Sequence, residues 1–308
     1  MLTKLPRRTF LFLSLIACVW TVQAQTPDSL ILNVTVTNGK GVLSRGLSLD
    51  DFLITVDKQP QKILSLSDQE APASIGILID DSGSQYVAPS DGLSLPGKLR
   101  PALERFLKVS NPANEYFVVT FNSKVQLVQD WTSDPQAVLG TLDSLKFKKL
   151  TAMFDAMTLA LDKVKTGRNS KHVLLLISDG SDNNSKIGFK KVRDKLKASD
   201  VVLYCVGANV SIYPVGNISS VRNFNEDVKR LGELSVASGG RAFFTSDVSE
   251  PMASNKIFEL IALELRAHYQ LVIAPEHSDA KAKWRKIKIE AKQGTDRLTA
   301  RTRLWYYR

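Results

Sequence analysis

The sequence predicts a doubly wound α/β domain with a mostly parallel sheet, inserted into a small β domain made of the N- and C-terminal strands. Residues 75–79, 117–121, 173–177 and 201–206 are continuous apolar runs. Runs that are apolar on both faces are typical of parallel strands covered by helices. Segments of helical periodicity separate them, which indicates a doubly wound sheet. Toward both ends of the chain, apolar residues recur at every second position, as in half-buried strands.

The elements follow one another in three blocks. Strands are predicted first over residues 30–37, 52–56 and 63–66. Between the core strands, helices are predicted over residues 99–107, 152–164, 192–196, 228–236 and 257–265. Strands return over residues 269–273, 287–291 and 304–306. Because neither flank is long enough for a core of its own, we expect residues 25–71 and 267–308 to pack together beside an α/β domain of residues 72–266.

Residues 1–24 have the features of a signal peptide. Lys4, Arg7 and Arg8 precede an apolar run, and Val22-Gln23-Ala24 resembles a cleavage site. The apolar run is too short to span a membrane comfortably. We therefore expect cleavage after Ala24 and a mature chain that is periplasmic or extracellular and has no transmembrane segment.

Two other export routes remain open from the same residues. Arg7 and Arg8, followed by Thr-Phe-Leu, resemble a twin-arginine motif. Residues 15–18 resemble a bacterial lipobox, which would place a lipid on Cys18. Against the lipobox, the apolar run continues beyond Cys18 and no flexible tether follows, so simple cleavage is favoured.

The composition is globular with an excess of positive charge. The 308 residues are 44% hydrophobic and 23% charged, and the net charge of +10 falls to +7 when the three cations of residues 1–24 are removed. Much of the excess lies in residues 281–288 and 296–308, whose alternation indicates solvated strand faces. The charge favours anionic partners, but nucleic acid is not expected for an exported protein. Cys205 is predicted to be a buried, inert thiol.

Polar side chains follow the core strands where a doubly wound sheet binds its ligands. Asp80, Ser82 and Ser84 come at the carboxyl end of the first core strand, and Asp179 comes after residues 173–177. Thr151 lies just before a predicted helix. The three segments deliver oxygen ligands, which suit Mg²⁺, Mn²⁺ or Ca²⁺ rather than Zn²⁺.

These segments resemble the metal-ion-dependent adhesion site of von Willebrand factor A domains, whose fold is Rossmann-like. Asp80-Asp81-Ser82-Gly83-Ser84 is similar to their DxSxS motif, residues 150–155 to their threonine loop, and Ser178-Asp179-Gly180 to their second aspartate motif. Residues 238–243 resemble a late Gly-Gly segment of bacterial members. The flanks resemble bacterial proteins of this kind that are abundant in Acidobacteria.

The resemblance implies a role for each matched residue. Ser82, Ser84 and Thr151 would bind the metal through their hydroxyl groups, and Asp80 and Asp179 directly or through water. The cation would keep an open position for an Asp or Glu carboxylate of a partner protein. The sequence thus predicts an exported, metal-dependent protein-binding module of the adhesion type.

Three departures from the family pattern lie around this site. Gln85 stands where many members have Met, and Lys148-Lys149-Leu150 replaces a frequent Gly-Gly. The two lysines could repel a cation or attract an acidic partner. A long loop over residues 86–96 follows the first motif.

The same residues also have less specific interpretations. Ser82 and Ser84 could cap a helix or a turn, and the site could have lost its metal. Asp81 is expected to be solvated or to contact the ligands without binding the metal. Asp155 could contact the ligands in the same way, or could equally form a surface ion pair or a cap. Residues 182–184 are predicted to be a turn.

Catalysis is not expected. The sequence has neither a G-x-S-x-G elbow nor an H-E-x-x-H motif. An aspartate-based phosphohydrolase would use Asp80 as its nucleophile, but Ser82 stands where its general acid would be. The main alternative is a structural envelope component whose metal site is stabilising or degenerate.

Overall fold

A computed structural model describes residues 29–83, 95–146, 150–207, 218–244, 251–275 and 283–307. Its strands are β1 (Leu30–Thr37), β2 (Phe52–Val56), β3 (Gln59–Pro60), β4 (Ile63–Ser67), β5 (Ala73–Asp80), β6 (Glu115–Phe121), β7 (Val125–Thr132), β8 (Lys171–Ile177), β9 (Val202–Gly207), β10 (Arg241–Phe244), β11 (Tyr269–Ile273), β12 (Trp284–Gln293), β13 (Asp296–Arg301) and β14 (Trp305–Tyr307). Its α-helices are α1 (Leu95–Val109), α2 (Pro135–Gly140), α3 (Met153–Lys163), α4 (Phe189–Lys197), α5 (Ile218–Ala237) and α6 (Pro251–Arg266).

The first sheet is doubly wound and has the strand order β10-β9-β8-β5-β6-β7. Its pairings are parallel except for the antiparallel pair of β6 and β7. The central strand β5 is buried along its whole length, because helices cover both faces. The continuous apolar runs of the sequence predicted this arrangement.

Alternate residues of β5 face two separate helical layers. Ile75 and Ile77 belong to a core with α1, α2 and α6. Leu78 belongs to the opposite core, with α3, α4 and α5. Gly76 also lies in β5, where an added Cβ would come within 2.3 Å of the Phe117 ring. The absence of a side chain at position 76 therefore lets Phe117 fill that layer.

The second sheet is antiparallel and combines strands from both ends of the chain. Its order is β3-β2-β12-β13-β1-β11-β4, and β14 pairs with β12. Its core includes Leu32 and Val34 of β1, Ile54 of β2, and Leu271 of β11. The predicted fold class is therefore confirmed: a mostly parallel α/β unit is inserted between strands that share one β sheet.

Buried polar contacts lie close to the points where the chain crosses between the two sheets. The ammonium group of Lys171, the first residue of β8, donates to the carbonyls of Ala71 at 3.0 Å and Leu265 at 2.9 Å. Arg301 of β13 donates to Glu264 of α6 at 2.7 Å. Both Lys171 and Glu264 are 1% exposed, so these ionic groups are held in the interior by their partners.

The Gly-Gly segment before β10 allows two close backbone approaches. Gly239 has a φ of +86°, and a Cβ there would lie 2.5 Å from the Thr302 carbonyl carbon. A Cβ on Gly240 would lie 2.0 Å from the Leu203 carbonyl oxygen. Glycine is needed at both positions, because any side chain would displace β9 or the segment after β13.

Some elements were not predicted, and some predictions fall outside the described residues. The sequence patterns did not predict β7, α2 or β10 as elements. Cys205 is buried as expected, and burial raises the pKa of its thiol to about 12. The expected signal peptide lies outside the described residues. Within the described part of the chain, no helix combines the length and the apolar character needed to cross a membrane.

Candidate functional site

Three strands bring polar residues to one edge of the α/β sheet. Strand β5 lies between β6 and β8, with Asp80 opposite Phe121 and Ile79 opposite Ile177. Since these strands are parallel and in register, their carboxyl ends are level. The residues that follow them therefore meet at the same edge: Asp81, Ser82, Asn122, Ser178 and Asp179.

Asp80 is a buried carboxylate with a neighbouring negative charge. It is 1% exposed. Its Oδ1 accepts a hydrogen bond from the Ser82 N–H at 3.0 Å, and its Oδ2 accepts one from the Ser178 hydroxyl at 2.7 Å. Burial, and after it the charge of Asp179, raise the pKa of Asp80 to about 7, while hydrogen bonds from Ser82 and Ser178 oppose the rise. Asp80 and Asp179 are thus close enough to repel each other.

The DxSxS motif is only partly described. Ser82 is fully buried next to Asp80. Ser84 lies outside the described residues, as does most of the loop over residues 86–96. Lys148 and Lys149 also lie outside them. The position of the Ser84 hydroxyl, and the effect of the two lysines on the site, therefore stay predictions.

Thr151 is held in place by the loop that follows Asp179. Thr151 is 2% exposed. Its N–H donates to the Asn183 side-chain oxygen at 2.9 Å, and its carbonyl accepts from the N–H groups of Asn183 at 3.1 Å and Asn184 at 3.0 Å. The next N–H, of Ala152, donates to the Asn122 carbonyl at 2.8 Å. The threonine loop is consequently tied to the ends of both β6 and β8.

Asp179 begins a tight turn that packs on α5. Its Oδ1 accepts a hydrogen bond from the Ser181 N–H at 2.9 Å. Gly180 has a φ of +91°, and a Cβ there would lie 3.0 Å from Leu231. Glycine is therefore favoured at this position both by the backbone conformation and by the limited space. The Ser181 hydroxyl donates to Asp227 of α5 at 3.3 Å. Burial raises the pKa of Asp227 to about 6.

Asp81 is buried, so the expectation that it could be solvated is wrong. It is 2% exposed, and both of its oxygens accept from the Asn122 side-chain amide at 3.0 Å. The Lys146 N–H donates to the same carboxylate at 3.2 Å. These bonds compensate the burial of Asp81 and join β5, β6 and the segment before the threonine loop.

The segment over residues 182–184 does more than form a turn. Asp182 accepts from the Phe154 N–H at 2.8 Å, which satisfies a free donor at the beginning of α3. Asp155 accepts from the N–H groups of Lys186 and Ile187, each at 3.0 Å. Asp182 and Asp155 therefore fasten α3 to the loop after β8 from both sides.

Sequence reasoning missed the residues that organise the site. Asn122 directly follows a buried strand, which is the signal that identified Asp80, so its place at the edge could have been predicted. Ser178 ends its strand in the same way. The role of Asn183 had no comparable signal, because its partner Thr151 is 32 residues away in the sequence.

The predicted ligands have the chemistry that a hard cation requires. The structure brings Asp80, at the end of β5, and Ser82, Thr151 and Asp179, on the adjoining loops, to one sheet edge. Within the described residues, no group of three or more His, Cys, Asp or Glu side chains is arranged to hold a metal. The predicted set has two carboxylates, and hydroxyl groups would complete it. Oxygen ligands of this kind suit Mg²⁺, Mn²⁺ or Ca²⁺.

By its fold and its site, the chain contains a doubly wound α/β domain with oxygen-bearing side chains at the carboxyl edge of its sheet. Comparison with known families identifies the domain. Residues 75–181 match the von Willebrand factor type A domain family, so this part of the chain is a von Willebrand factor A domain. Domains of this type mediate protein interactions, which gives the general class of function. The characterised protein sequences contain no match to the chain.

Several solved structures are similar to this chain at low sequence identity. An aerotolerance-related membrane protein from Bacteroides fragilis is 16% identical over 63% of this chain and 98% of its own, with a TM-score of 0.49. A von Willebrand factor type A protein from Catenulispora acidiphila is 13% identical over 94% of this chain and 74% of its own, with a TM-score of 0.49. The corresponding domain of the type V pili tip protein Mfa5 from Porphyromonas gingivalis is 10% identical over 69% and 99%, with a TM-score of 0.47.

Proposed function

We propose that the chain is an exported, metal-dependent protein-binding module. Asp80, Ser82, Ser84, Thr151 and Asp179 would hold one divalent cation, Mg²⁺ or else Mn²⁺ or Ca²⁺. The cation would accept an Asp or Glu carboxylate of a partner protein in its open position. The observation that carries the proposal is the meeting of two carboxylates, one of them fully buried, with hydroxyl groups from separate loops.

The electrostatics of the edge support a bound cation. Hydrogen bonds from Ser82 and Ser178 stabilise the charge of Asp80, but the neighbouring negative charge of Asp179 destabilises it. A buried carboxylate beside a like charge is costly unless a cation offsets it. With two carboxylates and neutral hydroxyls as ligands, a divalent ion would retain enough positive charge to attract an acidic partner.

The architecture of the loops supports binding rather than chemistry. Asn183 fixes Thr151, and Ser178 fixes Asp80, so the ligands are held before a partner arrives. The two histidines that the structure describes lie away from this edge: His172 is in β8, where it contacts Asp200, and His268 is buried beside Tyr204. Neither imidazole is placed to act as a general base near Asp80.

Capture of exported proteins by immobilised chain tests the proposal. Partners should be retained with Mg²⁺ and released by EDTA, and Asp80→Asn should retain none of them while keeping the fold. Asp194→Asn, a change in a partly exposed carboxylate of α4 that pairs with Arg193, is the matched control and should bind as the wild type does. Capture that is equal in Mg²⁺ and EDTA would contradict metal-dependent binding and favour a structural component that makes its contacts elsewhere.

A further inference from the structure

The outer face of β12 carries a row of exposed cations. Side chains alternate along a strand, so Lys286, Lys288 and Lys292 share one face, and all three are exposed. Arg297 of β13 pairs with Lys292 and is also exposed. Glu290 lies on the same face and pairs with Lys288 at 2.7 Å. We call Lys286, Lys288, Lys292 and Arg297 the basic face.

Two acidic residues near the basic face have hydrogen-bonding partners of their own, although the charge of Asp51 also acts on Lys292. Asp57 accepts from the buried guanidinium of Arg285 at 3.2 Å and from the Lys286 N–H at 2.9 Å. Asp51 accepts from the N–H and the hydroxyl of Ser48, each at 2.8 Å. The four cations of the basic face outnumber the nearby Glu290 and Asp51, so the face keeps a net positive charge.

Aromatic rings adjoin these cations. In the pairing of β12 with β14, Trp305 lies opposite Lys286 and Tyr307 opposite Trp284, so the rings share the face. Lys197, the last residue of α4, places its Nζ 4.6 Å from the Trp284 ring centroid and 4.5 Å from that of Trp305. These cation–π contacts hold a further positive charge beside the basic face. Tyr307 is 57% exposed.

A mainly apolar recess of about 320 Å³ opens beside the same lysines. Lys286 and Lys288 line it together with Val236, Ile289 and Leu304. The ladder between β12 and β13 joins residues 291–293 to residues 296–298, and the recess lies farther along these strands. Val236 is 56% exposed, so an apolar group can reach the recess from solvent.

We propose that the basic face docks on a bilayer surface that contains anionic lipids. Its cations would bind headgroup phosphates, since each Lys or Arg near an anionic surface adds attraction. Tyr307 and the tryptophans suit the polar interface of a membrane. Leu53, which is 49% exposed and lies opposite Glu290, and the recess would take up apolar groups. A soluble polyanion would use the cations but would gain nothing from these apolar features, so the lipid surface is favoured.

Flotation of the full chain with lipid vesicles tests this proposal. The chain should bind vesicles of phosphatidylcholine mixed with phosphatidylglycerol, and should not bind vesicles of phosphatidylcholine alone. Lys286→Glu with Lys288→Glu should weaken binding at least about tenfold. Lys108→Glu with Lys165→Glu changes the net charge equally at exposed positions of the α/β domain and should leave binding unchanged. All variants carry the same residues 1–24, and the buffer contains EDTA, so the result is independent of the metal site.

Soluble heparin separates a lipid surface from an acidic polymer. Val236→Ser should weaken vesicle binding about threefold and leave heparin binding unchanged, because only the lipid would enter the recess. Equal losses in the two double variants, or no loss in either, would overturn the proposal. Binding to heparin without binding to anionic vesicles would overturn it in favour of an acidic polymer.

Discussion

Asp80 is the residue on which the proposed metal site depends most. It is 1% exposed and ends the central strand β5. Its two hydrogen bonds, from Ser82 and Ser178, stabilise a negative charge in the interior. The neighbouring Asp179 acts against them. Without a metal, the repulsion between Asp80 and Asp179 therefore destabilises this edge of the sheet.

Asp179→Asn should stabilise the chain in EDTA and destabilise it, relative to wild type, in Mg²⁺. Removing the like charge beside Asp80 should raise the free energy of unfolding by about 1 kcal/mol. Wild type alone should gain about 2.7 kcal/mol at a Mg²⁺ concentration one hundred times its Kd. Thermal unfolding in both buffers measures this crossover, with Asp194→Asn as the control. A variant that is less stable than wild type in EDTA would contradict the repulsion.

Because of Lys171, the free energy of unfolding should vary with pH in the alkaline range. Burial lowers the pKa of its ammonium group to about 8 from its ordinary value of 10.5. Between these values the unfolded chain holds the proton and the folded chain releases it, so stability rises with pH. Relative to Lys171→Met, wild type should gain about 2 kcal/mol between about pH 7.5 and 9.5. Denaturant unfolding at the two pH values tests this, and Lys62→Met should keep the wild-type dependence.

Two ligand-bearing loops form one unit at the scale of structural elements. Asn183, on the loop after β8, bonds both the N–H and the carbonyl of Thr151. Asp182 on the same loop accepts from the Phe154 N–H in the first turn of α3. The hydroxyl of Thr151 and the carboxylate of Asp179 should therefore keep their relative position without a metal.

Asn183→Ala should weaken metal binding without unfolding the chain. Loss of the bond to Thr151 frees the threonine loop, and partners that orient metal ligands typically contribute 10- to 100-fold in affinity. Asn184→Ala is the matched control, because the Asn184 side chain donates to the Ser123 carbonyl instead. Metal titration of both variants measures the effect. Equal affinities in the two variants would show that Asn183 does not position Thr151.

The sequence predicted elements with strong periodicity and missed those defined by their neighbours. The buried runs of β5, β6, β8 and β9 were evident because both faces are apolar. β7 is an edge strand whose solvated face weakens its pattern, and β10 has only four residues. For the site, Asp80, Ser82, Thr151 and Asp179 were predicted from strand ends and from motifs. The role of Asn183 depends on a contact across the fold, which local periodicity does not encode.

At the scale of the whole molecule, the proposed metal site and the basic face lie in different parts of the fold. The metal residues lie at the carboxyl edge of the α/β sheet. The β sheet contacts the opposite edge, where Lys171 begins β8 and the Leu304 N–H donates to the carbonyl of Ala237 at 3.0 Å. A chain docked on lipid through the basic face of the β sheet could therefore bind a protein partner at the metal edge independently.

Residues 72–266 should fold on their own but with reduced stability. The two helical layers and the six-stranded sheet lie within this fragment. Without β13, the buried Glu264 loses its bond to Arg301, which should cost about 3 kcal/mol. Glu264→Gln should recover part of that loss in the fragment. Circular dichroism and denaturant unfolding measure both, and a fragment without cooperative unfolding would show that the inserted domain depends on the β sheet to fold.

Calorimetric titration of the chain with Mg²⁺ is the most direct test of the proposed metal site. The wild-type chain should take up one ion saturably, and Mn²⁺ and Ca²⁺ should compete for the same site. Asp179→Asn should abolish the uptake while leaving the fold intact, because the site would lose one of its two carboxylates. A folded wild-type chain that takes up none of the three ions at millimolar concentration would contradict the metal site and, with it, the proposed mode of partner binding.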